Sequence, residues 1–62
     1  MRKQISEILI ADYVEYAGKF WRVCDVKKQR SSLFNVVLYS EETGERTTLR
    51  KVPGAVTLEV VR

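Results

Sequence analysis

The catalytic chemistry open to this chain is narrow. Its 62 residues include eleven Lys or Arg, eight Asp or Glu, one Cys and no His. Histidine is the side chain that most often serves as general base near neutrality, and it is missing. Cys24 has no imidazole to draw off its proton and reads as a thiol buried in a strand. Asp25, flanked by Arg22 and Lys27, reads as one half of a surface ion pair. Ser31 and Ser32 read as loop residues, and no glycine-rich phosphate loop or dinucleotide fingerprint occurs. One thiol without histidine does not make an ordinary zinc site, so no metal, no cofactor and no small-molecule substrate are expected. The residues point away from an enzyme.

Binding chemistry is better represented. Lys27, Lys28 and Arg30 lie close together in the polar stretch "KKQRSS", where flexible side chains reach phosphates, and Arg46, Arg50 and Lys51 are auxiliary contacts. Neutralising a few phosphates gives modest, salt-sensitive affinity. A net charge of +3 permits an acidic partner without requiring one. Tyr13, Tyr16, Phe20, Trp21 and Tyr39 carry faces on which bases stack, at about 1–3 kcal/mol per base where exposed. Tyr39 is the best stacking candidate, because it falls opposite the Phe34–Leu38 face. Trp21 is a second candidate, although so small a core needs a large plug and Trp21 suits that role.

A rival surface is apolar. Leu33, Val37 and Tyr39 line one side of a strand whose other side fills the core, which predicts a protein partner or a homodimer. A clustered basic face with exposed aromatics favours RNA. An exposed Leu33–Val37–Tyr39 stripe favours protein. Both readings stay open on the sequence alone.

The elements that must position these residues are short strands. A chain of this length makes one domain and buries only about 60% of its unfolded surface. A single Cys makes no internal disulfide, so stability rests on the apolar core. Turn signals recur at Gly18, in "KKQRSS", at Gly44 and at Pro53–Gly54, and the segments between them are rich in Val, Tyr, Phe, Trp, Thr and Leu. Strands are expected at about 10–17, 19–27, 33–40, 45–51 and 55–61. In the second, Val26 is out of phase with Trp21 and Val23, and a bulge near Cys24–Asp25 repairs the phase. Ile5, Ile8, Leu9, Tyr13 and Tyr16 also recur at helical spacing, so an N-terminal helical turn competes with the first strand. The expectation is an all-β protein, a small closed barrel of about five short antiparallel strands over residues 1–62.

Particular residues strengthen this. "EILIADYVEYAGKFWRV" resembles the opening of the N-terminal SH3-like (KOW-like) domain of the elongation factor P family. Glu7-Ile8, Ala11, Gly18-Lys19 and Val23 fall at matching places, and Thr43-Gly44 matches the turn ending the family's long strand. The resemblance implies an SH3-like barrel, a role in translation with RNA or the ribosome as partner, and a working loop between the second and third strands. In that family the loop is glycine-rich and carries a modified lysine at its tip. Here "VKKQRSSLF" is shorter, has no glycine and places Gln29 or Arg30 at the tip, so the modified-lysine mechanism does not carry over. Free-standing barrels of this kind also occur in phage and mobile-element genomes, where they act as adaptors.

The N-terminal segment offers only "ILIA" as an uncharged apolar run, too short for a signal-peptide core, and no stretch approaches the roughly 20 apolar residues of a membrane span. A lone thiol fits a reducing compartment, so the expected setting is cytoplasmic with no membrane partner.

Overall fold

A computed structural model describes residues 1–30 and 32–61. The expected fold class holds: the protein is all-β. Its strands are β1 (Arg2–Gln4), β2 (Tyr13–Tyr16), β3 (Lys19–Lys28), β4 (Leu33–Tyr39), β5 (Arg46–Pro53) and β6 (Thr57–Val60), with a 3₁₀ turn at Ile5–Glu7. All pair antiparallel in one six-stranded sheet ordered β1-β6-β2-β3-β4-β5.

That order cannot be laid flat. β5 and β6 are four strand steps apart in the sheet, about 19 Å at roughly 4.8 Å per step. The chain from Pro53 to Thr57 spans about 14 Å at most. The sheet must therefore curl until the end of β5 meets the start of β6. Gly54 sits at the pinch, where a Cβ would fall 2.8 Å from Cε1 of Phe34 and 3.3 Å from the carbonyl oxygen of Ser32. The 3₁₀ turn closes this end: Ile5 N–H donates to Val56 O at 2.7 Å and Ser6 N–H to Gly54 O at 3.2 Å.

The curl falls short of the fully closed barrel expected. No ladder joins β1 to β5 among the described residues. β1 is only three residues long, and the facing end of β5 is bulged and terminates in Pro53, which has no N–H to donate.

The core is built from rows of side chains that cross the strands. Val60, Val14 and Trp21 form one row, Val23 and Leu38 a second, and Val26, Val36 and Leu49 a third. Ile5 and Ile8, three residues apart around the 3₁₀ turn, plug the open end and are almost fully buried. The expected bulge in β3 is present, with a register shift between Val23 and Asp25 that leaves Cys24 without a cross-strand partner.

The N-terminal region departs most from expectation. The helical spacing resolves into a single 3₁₀ turn, and strand structure begins at Tyr13 rather than residue 10. Ala11 has φ +77°, which breaks an extended run, and Leu9 and Ile10 are exposed. β1 was not expected, because Arg2, Lys3 and Gln4 have no strand propensity of their own. Pairing with β6 supplies it. The Arg2 guanidinium donates to Thr57 Oγ1, and the N-terminal ammonium pairs with Glu59. The β2–β3 connection is a two-residue turn in which Ala17 and Gly18 both have positive φ, the geometry that matches strand twist in a tight hairpin.

Two outcomes follow from this packing. Leu38 is fully buried, so Leu38→Ala is expected to cost about 2–5 kcal/mol in chemical denaturation. The Glu59 carboxyl is held below its ordinary pKa, chiefly by the hydrogen bond from the N-terminal ammonium and then by that charge and Arg2. A carboxylate with a lowered folded pKa contributes stability above its unfolded value, and the contribution is lost as pH falls through the folded value. Melting temperature is therefore expected to drop on acidification from about pH 5 toward 3, and to drop less in Glu59→Gln. Parallel melting curves over that range would contradict the assignment.

Candidate nucleic-acid interface

Strand alternation sorts the candidate residues onto two faces. On β4, Val36 and Leu38 point into the core, so Leu33, Asn35, Val37 and Tyr39 lie on the outer face, each half-buried. Cross-strand pairing places Lys27 beside Asn35, Asp25 and Thr48 beside Val37, and Arg22 and Arg46 beside Tyr39. Lys28 pairs with Phe34 and belongs to the opposite side. It lines a separate concavity with Ser6, Ser32, Phe34 and Gly54. The expected group Lys27, Lys28 and Arg30 is therefore split, because neighbouring residues in an extended strand face opposite ways.

A bulge in β5 gathers the outer-face cations. Phe34 pairs with Val52 and Val36 with Leu49, so Asn35 alone stands opposite both Arg50 and Lys51. Regular alternation would turn Lys51 inward. With the extra residue, Leu49 and Val52 both pack against the core, while Arg50 and Lys51 are both exposed. Lys51 takes φ +54°, and its N–H donates to Asn35 Oδ1 at 3.0 Å. The result is an outer-face concavity of about 280 Å³ lined by Gln29, Arg30, Leu33, Asn35, Arg50 and Lys51.

The β3–β4 loop completes this wall. Gln29 N–H donates to Leu33 O at 2.7 Å and Leu33 N–H to Arg30 O at 3.0 Å, which closes the hairpin, and Gln29 and Arg30 line the concavity together with Arg50 and Lys51 of β5. Ser32 takes φ +67°, and its carbonyl accepts from Gly54 N–H at 2.8 Å. Ser31, read as a loop residue, lies outside the described residues.

The electrostatics separate the cations into two sets. Arg2 pairs with Glu59, Lys3 with Asp12, Lys19 with Glu45 and Arg22 with Glu41. Among the described residues, Lys27, Lys28, Arg30, Arg46, Arg50 and Lys51 have no ion-pair partner. Glu41, Glu42 and Glu45 gather in and beside the turn at the far end of the β4–β5 hairpin. Arg46 lies at that acidic end beside Tyr39, about 13 Å along β4 from Asn35. The structure thus brings Arg30, Arg50 and Lys51 together, sets Lys27 one strand over, and leaves Lys28 and Arg46 apart.

Three expectations are corrected. Trp21 is 5% exposed and its Nε1–H donates to Tyr16 O at 2.9 Å, so its ring belongs to the core and offers no stacking face. Cys24 is exposed rather than buried, because the β3 bulge turns it out of the ladder. Asp25 forms no ion pair among the described residues, and its Oδ1 accepts from Val26 N–H at 2.9 Å. Tyr39 and its stripe partners Leu33 and Val37 are half-buried, between the two outcomes that would separate RNA from protein binding.

Elsewhere on the outer face, the Tyr13 ring stacks on Phe20 with centroids 6.0 Å apart, and the Arg22 guanidinium lies 5.0 Å from the Tyr13 centroid. Tyr13 is thereby engaged by two β3 side chains within the protein. Asn35 and Gln29 were not foreseen as site residues. The available signal was an asparagine inside the apolar run "LFNVVL", a poor strand former that commonly marks a bulge or a site.

No family model matches this chain, and no curated protein is significantly similar to it in sequence. Among the described residues, no helix is long and apolar enough to cross a membrane.

The exposure of Cys24 is directly testable. Its thiol is expected to react with a water-soluble disulfide reagent in the folded protein, at a rate within about tenfold of that in denaturant. Protection of a hundredfold or more would return the thiol to the core.

Proposed function

We propose that this protein binds RNA, free or within a ribonucleoprotein, without catalysing a reaction on it, through the outer face of β3, β4 and β5. The observation that carries this reading is the distribution of charge. Of the six cations that lack ion-pair partners among the described residues, Arg30, Arg50 and Lys51 gather where the β3–β4 loop meets the β5 bulge, and Glu41, Glu42 and Glu45 lie at the other end of the β4–β5 hairpin. A cation held by a neighbouring carboxylate gives up part of its attraction for phosphate, and one without such a partner keeps it. Arg30, Arg50 and Lys51 converge on one concavity, and Lys27 extends the positive surface across the sheet.

The resemblance to the N-terminal domain of the elongation factor P family supports the same surface. The loop that corresponds to that family's working loop is residues 29–32, which contribute Gln29 and Arg30 here. An arginine-centred loop without a modified lysine fits phosphate binding rather than delivery of a reactive side chain. Translation and a cytoplasmic setting belong to this proposal, and a phage-type adaptor belongs to the protein-binding reading that follows.

A second reading is carried by the outer face of β4. Leu33, Val37 and Tyr39 keep part of their apolar surface open, which suits a protein partner or a second copy of the chain.

Fluorescence polarisation of labelled single-stranded RNA across a salt series separates the two. Binding is expected to weaken as salt rises, with a log–log slope of roughly −0.7 per phosphate neutralised. The variant with Lys27, Arg30, Arg50 and Lys51 all changed to alanine is expected to flatten that slope by about 3 and to lose at least tenfold in affinity. Lys28→Ala, on the other face, is expected to change affinity less than twofold. Absence of binding at low salt would reject the RNA reading, and a concentration-dependent dimer at that point would favour the apolar face.

A further inference from the structure

We propose that the concavity between the β3–β4 loop and the β5 bulge holds a single unstacked nucleotide of a single-stranded RNA, with the backbone phosphate on Arg30, Arg50 and Lys51 and the base against Leu33. This rests on the RNA-binding reading above and adds a reason for preferring single strands to duplexes.

The lining matches the parts of one nucleotide. It combines three cations, two amides and one aliphatic side chain, and no carboxylate. At about 280 Å³ the space lies just under the range of roughly 300–1,000 Å³ typical of small-molecule sites, enough for one flat ring system and not for a longer segment. Leu33 supplies an apolar surface for a ring. Arginine guanidinium planes stack on unpaired bases, and amide side chains bond to their edges. In duplex RNA the bases are already stacked and the deep groove is closed to side chains, so a duplex would reach only the cations.

The bulge is the device that makes the site. Without the extra residue, Arg50 and Lys51 would point to opposite faces, and only one of them would line the concavity. Lys51 is held in the left-handed region, which is uncommon for a residue with a Cβ, and the side chain of Asn35 receives its N–H. Asn35 is thus a positioning residue. Its oxygen fixes the bulge, and its NH₂ makes no hydrogen bond among the described residues, which leaves that donor for a base.

The substitution Asn35→Asp isolates the site. It keeps an oxygen for Lys51 N–H, so the fold should persist, but it removes the NH₂ and places a carboxylate among three cations. Wild type, Asn35→Asp and Leu33→Ala are titrated with a labelled single-stranded RNA hexamer and a matched RNA duplex. Adenosine monophosphate and ribose 5-phosphate are then used as competitors of the hexamer on wild type. Circular dichroism melts of each variant report folding.

Wild type is expected to bind the hexamer at least tenfold more tightly than the duplex, and the mononucleotide should compete at least threefold better than the sugar phosphate that lacks a base. Asn35→Asp should lose at least tenfold in hexamer affinity, and Leu33→Ala should narrow the single-strand preference. Equal binding of hexamer and duplex, with equal competition by the two small phosphates, would overturn the pocket while leaving the RNA reading in place. That comparison uses wild type alone and does not depend on any variant folding. Failure of wild type to bind either RNA would overturn both.

Discussion

The step from Pro53 to Thr57 sets the shape of the molecule. A connection of about 14 Å cannot bridge four strand spacings of a flat sheet, so the sheet curls and acquires an inside and an outside. The inside must then be filled from one face of each of β2 to β6, which the rows through Trp21, Leu38 and Val36 accomplish. The meeting point of β5 and β6 tolerates no side chain at residue 54, because the ring of Phe34 already occupies the space. Ile5 can close the end only because the N-terminal segment is bonded to this same link at Gly54 and Val56. A change at the link would therefore act on the core and on the outer surface together.

Two bulges adapt the strands to that curl, with different consequences. In β3 the extra residue brings Val26 back into phase with Val23, and Cys24 is turned to solvent as a result. In β5 the extra residue keeps Val52 in the core while aligning Arg50 with Lys51 on the outside. The second requires a lysine at positive φ, a conformation of order 1–3 kcal/mol above ordinary backbone. The bond from Lys51 N–H to Asn35 offsets part of that cost. Strain of this kind beside a cluster of cations is what gives the concavity its interest.

Net charge says little about such a surface. The β4–β5 hairpin runs about 20 Å from its loop end to its acidic turn, more than twice the roughly 8 Å screening length at physiological salt. Its two ends act as separate electrostatic objects. Lys19 and Arg22 are engaged by Glu45 and Glu41 at one end, and Arg30, Arg50 and Lys51 stand without carboxylates among the described residues at the other. Three of the six cations without ion-pair partners among the described residues thus share one concavity, which the net charge of +3 alone does not reveal.

Much of the fold was legible from residue types, since the signals involved are local. Gly18 and Gly44 mark turns where φ is positive, and the broken alternation at Cys24–Asp25 announces a bulge because a period of two cannot otherwise keep Val23 and Val26 on one face. The cationic residues of the candidate site were likewise visible as a list. Their grouping was not. Lys28 parts from Lys27 by strand alternation, and Arg30 joins Arg50 and Lys51 only across a ladder whose register includes an unforeseen bulge. β1 was hidden as well, since Arg2–Gln4 becomes a strand by pairing with β6 from the opposite end of the chain. By itself the sequence determined where the chain from Tyr13 onward extends and turns, which depends on neighbours within a few residues. Tertiary structure alone decided which cations share a surface, because that depends on register between distant strands and on the curl imposed by one short link.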